Sequence, residues 1–283
     1  MIDDGITLVV SPLVSLVEDQ LWILNSLNIK ASTLNASSSK EDVKYIHQQM
    51  TDSKSDLKIL YVTPEKLAKS KMFMNKLEKM YDLNRFNRLV IDEVHCCSTY
   101  GHDFRPDYKF LGVMKKLFPK VCVLGLTATA TQSVIDDVKN ILNIPKCILF
   151  KSSFNRPNIY YEVKQKPNNN DEFIDELANL VKTNFPKQSG IIYCFSQREC
   201  EEVARDLKSR GVMADPYHAN LDSETRSRVH QRWLKNNVQV ICATIAFGMG
   251  IDKNNCRFVI HHSLSKSLEN FYQVFNLICD LHQ

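Results

Sequence analysis

Arg88-Leu89-Val90-Ile91-Asp92-Glu93-Val94-His95 sets an apolar, β-branched run directly against two carboxylates and an imidazole. A short run of this kind reads as a buried strand. In open parallel sheets ligands bind beyond the carboxyl ends of the strands, so Asp92 and Glu93 emerge where a Mg²⁺-bound triphosphate can be reached. One carboxylate can hold the ion while the other orients a water; taken alone, the pair also reads as a solvated strand end. The continuation, Cys96 to Tyr108, interleaves Tyr100, Phe104 and Tyr108 with His102 and Arg105 in a segment containing Gly101 and Pro106. Aromatic faces stack on unpaired bases, and an arginine among them can hold the backbone. The alternative for these rings is a small aromatic core beneath a long loop.

The same alternation extends outward from this stretch. β-Branched runs at 6–10, 57–62, 88–91, 121–126, 159–163, 190–195, 238–243 and 257–260 are separated by helical periodicity at 13–27, 41–50, 108–118, 132–142, 172–181, 199–208 and 223–234. Repeated βα units predict an α/β fold around parallel sheets. At 283 residues the chain is long for one core. The turn formers and proline of Ser152-Ser153-Phe154-Asn155-Arg156-Pro157-Asn158 place a boundary between residues 1–152 and 153–273, with 274–283 as a divergent tail.

Composition is that of an ordinary globular chain, 44% hydrophobic and 24% charged, and its net charge of +4 permits nucleic acid without demanding it. The nine cysteines form no Cys-x-x-Cys pair and no zinc spacing, which predicts reduced thiols and no zinc site. No apolar run approaches the roughly 20 residues of a membrane span, and the start lacks a signal-peptide plan. These features point to a cytosolic or nuclear protein without a membrane partner.

Polar clusters recur at the strand ends. Ser11-Pro12 after the first strand and Thr63-Pro64 after the second each place a hydroxyl and a proline at a helix start, a corner that suits a phosphate or, equally, an N-cap. Thr127-Ala128-Thr129-Ala130-Thr131 follows Gly125, and its small residues let the loop lie close to the acidic pair and couple it to the other domain, with a threonine-rich helix cap as the alternative reading. Ser196 and Arg198 end the strand at 190–195. Thr244, Gly248, Gly250 and Asp252 follow the strand at 238–243; the glycines allow close backbone approach to a ligand and Asp252 suits a ribose hydroxyl.

Together these segments resemble the RecQ family of superfamily-two DNA helicases. Asp92-Glu93-Val94-His95 looks like its DExH box, Cys96 to Tyr108 its aromatic-rich loop and Gly125 to Thr131 its motif III. Ser11 to Gln20 and Tyr61 to Leu67 look like motifs Ia and Ib, Ile191 to Arg198 motif IV, and Ala243 to Lys253 motif V; Gln273 falls where the final motif begins. The resemblance implies two RecA-like parallel-sheet lobes, ATP and Mg²⁺ as cofactors, single-stranded and forked DNA as partners, 3′ to 5′ movement, and work in DNA repair and recombination in the nucleus. It implies that Asp92 binds Mg²⁺, that Glu93 activates the attacking water, and that His95 links the two to the aromatic loop. Gly248, Gly250 and Asp252 would join the nucleotide site. Ser11, Pro12, Thr63, Tyr100, His102, Phe104, Arg105, Tyr108, Ser196, Arg198 and Thr244 would touch DNA, and Thr127 and Thr129 would couple the sites.

The departures shape a second expectation. No Gly-x-x-x-x-Gly-Lys-Ser/Thr occurs in the chain, so the loop that cradles the β- and γ-phosphates is missing. Val274 to Asp280 stands in place of a Gly-Arg-Ala-Gly-Arg stretch with its arginine finger, and Tyr100 stands where a tryptophan is usual. The first lobe is therefore expected to lack its phosphate-loop strand, leaving open apolar edges, and the chain to be a truncated form with impaired ATP hydrolysis or a non-catalytic DNA-binding fragment.

Overall fold

A computed structural model describes residues 5–101, 103–153, 155, 157–244, 247, 253, 255–264 and 271. The chain divides into two compact units, Met1–Leu149 and Phe150–Gln283. In the first unit the elements run β1 (Ile6–Val10), α1 (Val14–Ser26), β2 (Ala31–Leu34), α2 (Lys40–Thr51), β3 (Ile59–Val62), α3 (Pro64–Lys69), α4 (Lys71–Asp82) and β4 (Phe86–Ile91). Two 3₁₀ helices follow, Val94–Cys97 and Pro106–Val113, then α5 (Met114–Leu117), β5 (Cys122–Gly125) and α6 (Gln132–Ile141). The second unit runs α7 (Asn170–Asn184), β6 (Ser189–Tyr193), α8 (Gln197–Ser209), β7 (Ala214–Tyr217), α9 (Ser223–Leu234), β8 (Val240–Ala243) and β9 (Cys256–His261).

Both sheets are parallel, ordered β2-β3-β1-β4-β5 and β7-β8-β6-β9. The central strands carry the apolar stretches that two covered faces require, Leu8-Val9-Val10 in β1 and Leu89-Val90-Ile91 in β4. Every residue of β6 and β8 is buried. Their alternate side chains feed two separate cores. Ile192, Val240 and Cys242 pack with Leu177, Val181, Val203 and Leu207 of α7 and α8, whereas Ile191, Tyr193 and Ile241 pack with Val229 and Trp233 of α9.

Several expectations need correction. The run 159–163 forms no strand; Tyr160 is 85% exposed and Val163 fully exposed, because a β-branched run becomes a strand only where a ladder and a covering layer receive it. The helix expected over 108–118 is mostly 3₁₀ helix, closed by the single α-turn of α5. Pro106 opens it, and at Gly112 a Cβ would lie 2.4 Å from the Ile141 carbonyl oxygen, so the backbone packs too tightly there for a side chain. Two strands escaped the sequence pattern. Both β2 (Ala-Ser-Thr-Leu) and β7 (Ala-Asp-Pro-Tyr) lie at sheet edges, where polar residues and proline are tolerated. Asp215 of β7 is buried but held by Lys208 at 2.7 Å and Arg232 at 2.6 Å. The helix α4 was also unforeseen, although Phe73, Leu77 and Met80 recur at helical spacing and Ser70 caps its start.

The first sheet ends at β5, whose Cys122, Leu124 and Gly125 are exposed; Leu126 just beyond is 46% exposed.

Gly190 sits in the centre of the second sheet, and an added Cβ would meet the Phe258 ring at 2.2–2.5 Å. Phe258 is itself buried and packed on Phe185 at a centroid distance of 4.4 Å, so it has little room to yield. Gly190→Ala is expected to destabilise the second unit by about 1–3 kcal/mol in urea titrations, and Phe258→Leu in the same chain to recover part of that loss.

Candidate functional site

The ladder between β1 and β4 pairs Val10 with Ile91 and continues one step, the Asp92 N–H donating to the Val10 carbonyl at 2.9 Å. This brings the end of β1 beside the acidic pair, and the Ser11 hydroxyl donates to Asp92 Oδ2 at 3.1 Å. The Asp92 Oδ1 caps the Glu93 N–H at 3.0 Å, and the Tyr108 hydroxyl donates to the Asp92 carbonyl at 2.9 Å. Glu93 adopts a left-handed backbone (φ 47°, ψ 49°), which is strained for a residue with a side chain. That turn ends the strand and sends the chain into the 3₁₀ helix 94–97, with the Val94 N–H anchored on the Leu126 carbonyl at 2.9 Å.

Behind the carboxylates lies His95, its side chain 2% exposed. Its Nδ1 is 3.2 Å from Glu93 Oε2 and 2.9 Å from Thr127 Oγ1, and Thr127 Oγ1 in turn accepts the Thr129 N–H at 3.3 Å. The threonine loop does lie close to the acidic pair: a Cβ on Gly125 would be only 3.2 Å from Val94. A connected path thus runs from Glu93 through His95 to Thr127 and Thr129.

Electrostatics single out Asp92. Burial, and then the neighbouring Glu93 charge, push its carboxyl above the ordinary range, against the pull of the Ser11 and Glu93 N–H hydrogen bonds and of His95. No lysine or arginine pairs with Asp92 or Glu93 among the described residues. The chemistry of this donor set, hard oxygens with uncompensated negative charge, fits a divalent cation.

The aromatic loop divides in two. Tyr100 is 73% exposed, and Phe104 is half-buried with Lys109 Nζ 5.0 Å from its ring centre. Tyr108 and Ser11, by contrast, are 0% and 2% exposed. Expected to touch nucleic acid, they brace Asp92 from inside the fold instead. Arg105 is gripped by Asp103 at 3.1 and 3.2 Å and donates to the Pro12 carbonyl at 3.2 Å, so it fastens the loop to the end of β1. Asp103 was not foreseen; its opposite charge two residues before Arg105 was the available signal. His102 lies outside the described residues.

Thr63 caps α3 by accepting the Lys66 N–H at 3.4 Å. In the second unit Ser196 caps α8, Arg198 is exposed and bonded to Glu202 at 2.8 Å, and Thr244 is half-buried at the end of β8. Gly248, Gly250 and Asp252 lie outside the described residues.

Two family models match the chain, the DEAD/DEAH box helicase over residues 2–138 and the helicase conserved C-terminal domain over residues 171–276. Among curated relatives, the ATP-dependent DNA helicase Q1 of Pongo abelii is 58% identical over 95% of this chain, and that of Rattus norvegicus is 57% identical over 95%. The match covers 42% and 44% of those proteins, so the chain spans about two fifths of the length of the curated relatives it matches. Among solved structures, the DUF1998 helicase MrfA bound to DNA and AMPPNP superposes with a TM-score of 0.72 at 13% identity, covering 95% of this chain and 39% of that one. At that identity the likeness concerns the fold: both share parallel-sheet α/β lobes of the RecA-like kind.

Because the Asp92 carboxyl is raised in the folded state, the unfolded chain ionises first as pH rises. Stability is present below the ordinary carboxylate range and is lost as pH climbs through the raised value, leaving a net penalty at pH 7. Asp92→Asn keeps an acceptor oxygen and removes the charge. Thermal melts in chelator should show the variant roughly 2 °C above the parent at pH 7, with the gap closing toward pH 3. An equal or lower melting temperature at pH 7 would contradict the electrostatic account.

Proposed function

Because this chain belongs to the RecQ family of ATP-dependent DNA helicases, we propose that it carries the metal-binding and water-activating carboxylates of a motor on DNA. The motor hydrolyses ATP to move 3′ to 5′ along single-stranded DNA and open forks, and serves repair and recombination in the nucleus. The observation that supports this most is the Asp92–Glu93 pair, in which Asp92 is desolvated, neither carboxylate has a lysine or arginine partner among the described residues, and Glu93 is wired through His95 to Thr127.

The residues present fit the ion. Asp92 Oδ2 offers a hard oxygen oriented by Ser11, and a bound Mg²⁺ supplies positive charge to phosphate oxygens. Glu93 presents Oε2 to take a proton from an attacking water, and His95 Nδ1 holds that carboxylate in place at 3.2 Å. Thr127 shares the same Nδ1, so a change in what Glu93 holds alters the bond available to the threonine loop. The residues do not supply a triphosphate cradle, because the chain has no glycine-rich loop with its lysine. Within this proposal the residues of this sequence bind DNA, and appreciable ATP turnover needs such a phosphate-binding loop in addition.

Two measurements test the halves of this reading. In a phosphate-loop-containing form, Glu93→Gln should lower DNA-stimulated ATP hydrolysis by about 10²–10⁴ with nucleotide binding retained. In this chain parent and variant should be equally inactive, and Glu93-dependent turnover here would refute the claim about the missing cradle. Separately, exposed Tyr100 supports stacking on an unpaired base. Tyr100→Ala should weaken single-stranded DNA binding by about 1–3 kcal/mol in fluorescence anisotropy at fixed salt, and Tyr100→Trp should retain it. Unchanged affinity in Tyr100→Ala would remove the loop from the DNA contact.

A further inference from the structure

The second sheet gathers another polar group at its strand ends, from residues the sequence keeps far apart. Cys194 follows β6 and His262 follows β9, the neighbouring strand, and the His262 N–H donates to the Tyr193 carbonyl at 2.9 Å. Glu199 stands in the first turn of α8, where it accepts the Phe195 N–H. His262 Nδ1 lies 2.6 Å from Glu199 Oε1, and one donor atom from each of Cys194, Glu199 and His262 lies within 4.8 Å of the other two. Cys194 and His262 are 5% and 9% exposed. Glu199 lines an open cleft of about 600 Å³, together with Ser196, Arg198 and Ser263.

A hydrogen-bonded network alone would account for Glu199, which also accepts from the Ser263 hydroxyl at 3.0 Å. The Cys194 thiol donates weakly to the Ile192 carbonyl at 3.9 Å and is hydrogen-bonded with Cys200, yet its sulfur also stands beside the imidazole and carboxylate. Thiolate, imidazole and carboxylate together form a borderline-soft donor set, and three protein ligands with one open position are the arrangement of an accessible zinc-class site. Apposed strand ends fix two ligands and a capped helix turn the third, so the site is pre-positioned and not gathered from mobile loops.

We propose that Cys194, Glu199 and His262 bind a divalent cation of the zinc class, with its fourth position open to the cleft. On binding, the Cys194 thiol releases its proton to solvent and His262 coordinates through Nδ1. The proton on Nδ1 moves to Nε2, and Lys166, whose Nζ is 3.3 Å from Nε2 and whose side chain is exposed, turns away. The Nδ1 to Oε1 separation opens to roughly 3.4 Å, the edge of a tetrahedron with bonds near 2.1 Å.

The test titrates the full, metal-stripped chain with Co²⁺ and then Zn²⁺. The expected result is one equivalent of Co²⁺ with a thiolate-to-metal charge-transfer band and a tetrahedral visible spectrum, displaced by Zn²⁺ with release of protons. Cys194→Ser should abolish the band and weaken binding at least 100-fold, and His262→Gln at least tenfold, while Cys122→Ser, at an exposed cysteine in the other unit, leaves both unchanged. Circular dichroism confirms that each variant is folded, and the parent spectrum reports thiolate ligation without any variant. Absence of the band in the parent, or its persistence in folded Cys194→Ser, overturns the proposal and leaves a hydrogen-bond network only.

Discussion

The parallel ladder between β1 and β4 is the constraint on which the first site depends. Its last rung, Asp92 N–H to Val10 carbonyl, fixes where Asp92 leaves the sheet and places Ser11 within reach of its carboxylate. Parallel pairing aligns strand ends of the same polarity, so polar residues that follow different strands meet at one rim. Without that register Ser11 would be an isolated serine between β1 and α1 and Asp92 a solvated acid. With it, the carboxylate is oriented and partly desolvated, and its charge calls for a cation.

The strain at Glu93 follows from the same geometry. The strand must stop abruptly so that the next turn can pack beneath the threonine loop, and a left-handed residue makes that reversal in one step. The close approach is possible because Gly125 has no side chain to meet Val94. His95 is then trapped between Glu93 and Thr127, sharing a single ring nitrogen with both. One ring nitrogen cannot bond two oxygens equally, so occupancy at Glu93 biases the bond to Thr127. Tyr108 and Arg105 fasten the aromatic loop to Asp92 and Pro12, so that loop rests on the same rim.

Buried central strands were legible in the sequence because covered faces demand apolar runs: β6 and β8 are buried throughout, and β1 and β4 end in the apolar stretches Leu8-Val9-Val10 and Leu89-Val90-Ile91. Edge strands were not legible: β7 holds a proline and an ion-paired aspartate that no hydrophobic pattern marks. The acidic pair and the threonine loop could be read because a strand end has a chemical direction. Which loop aromatics turn inward could not be read, since Tyr100 and Tyr108 share a composition and differ only in what packs over them. The trio Cys194, Glu199 and His262 left no spacing signal because strand adjacency, not sequence interval, brings it together.

The two rims show how one topology supports different chemistry. In the first unit the carboxylates are hard oxygen donors whose charge is poorly compensated, and Asp92 is held above its ordinary range. In the second, Glu199 meets a backbone N–H, the His262 ring, the Ser263 hydroxyl and the nearby Lys166, which together outweigh burial and hold its carboxyl below the ordinary range. An under-compensated oxygen pair favours a small hard cation such as Mg²⁺, whereas a satisfied carboxylate admits an ion only where better donors stand beside it. The Cys194 sulfur and the His262 ring nitrogen are such donors. The strand ends decide where an ion can sit, and the atoms they present decide which one.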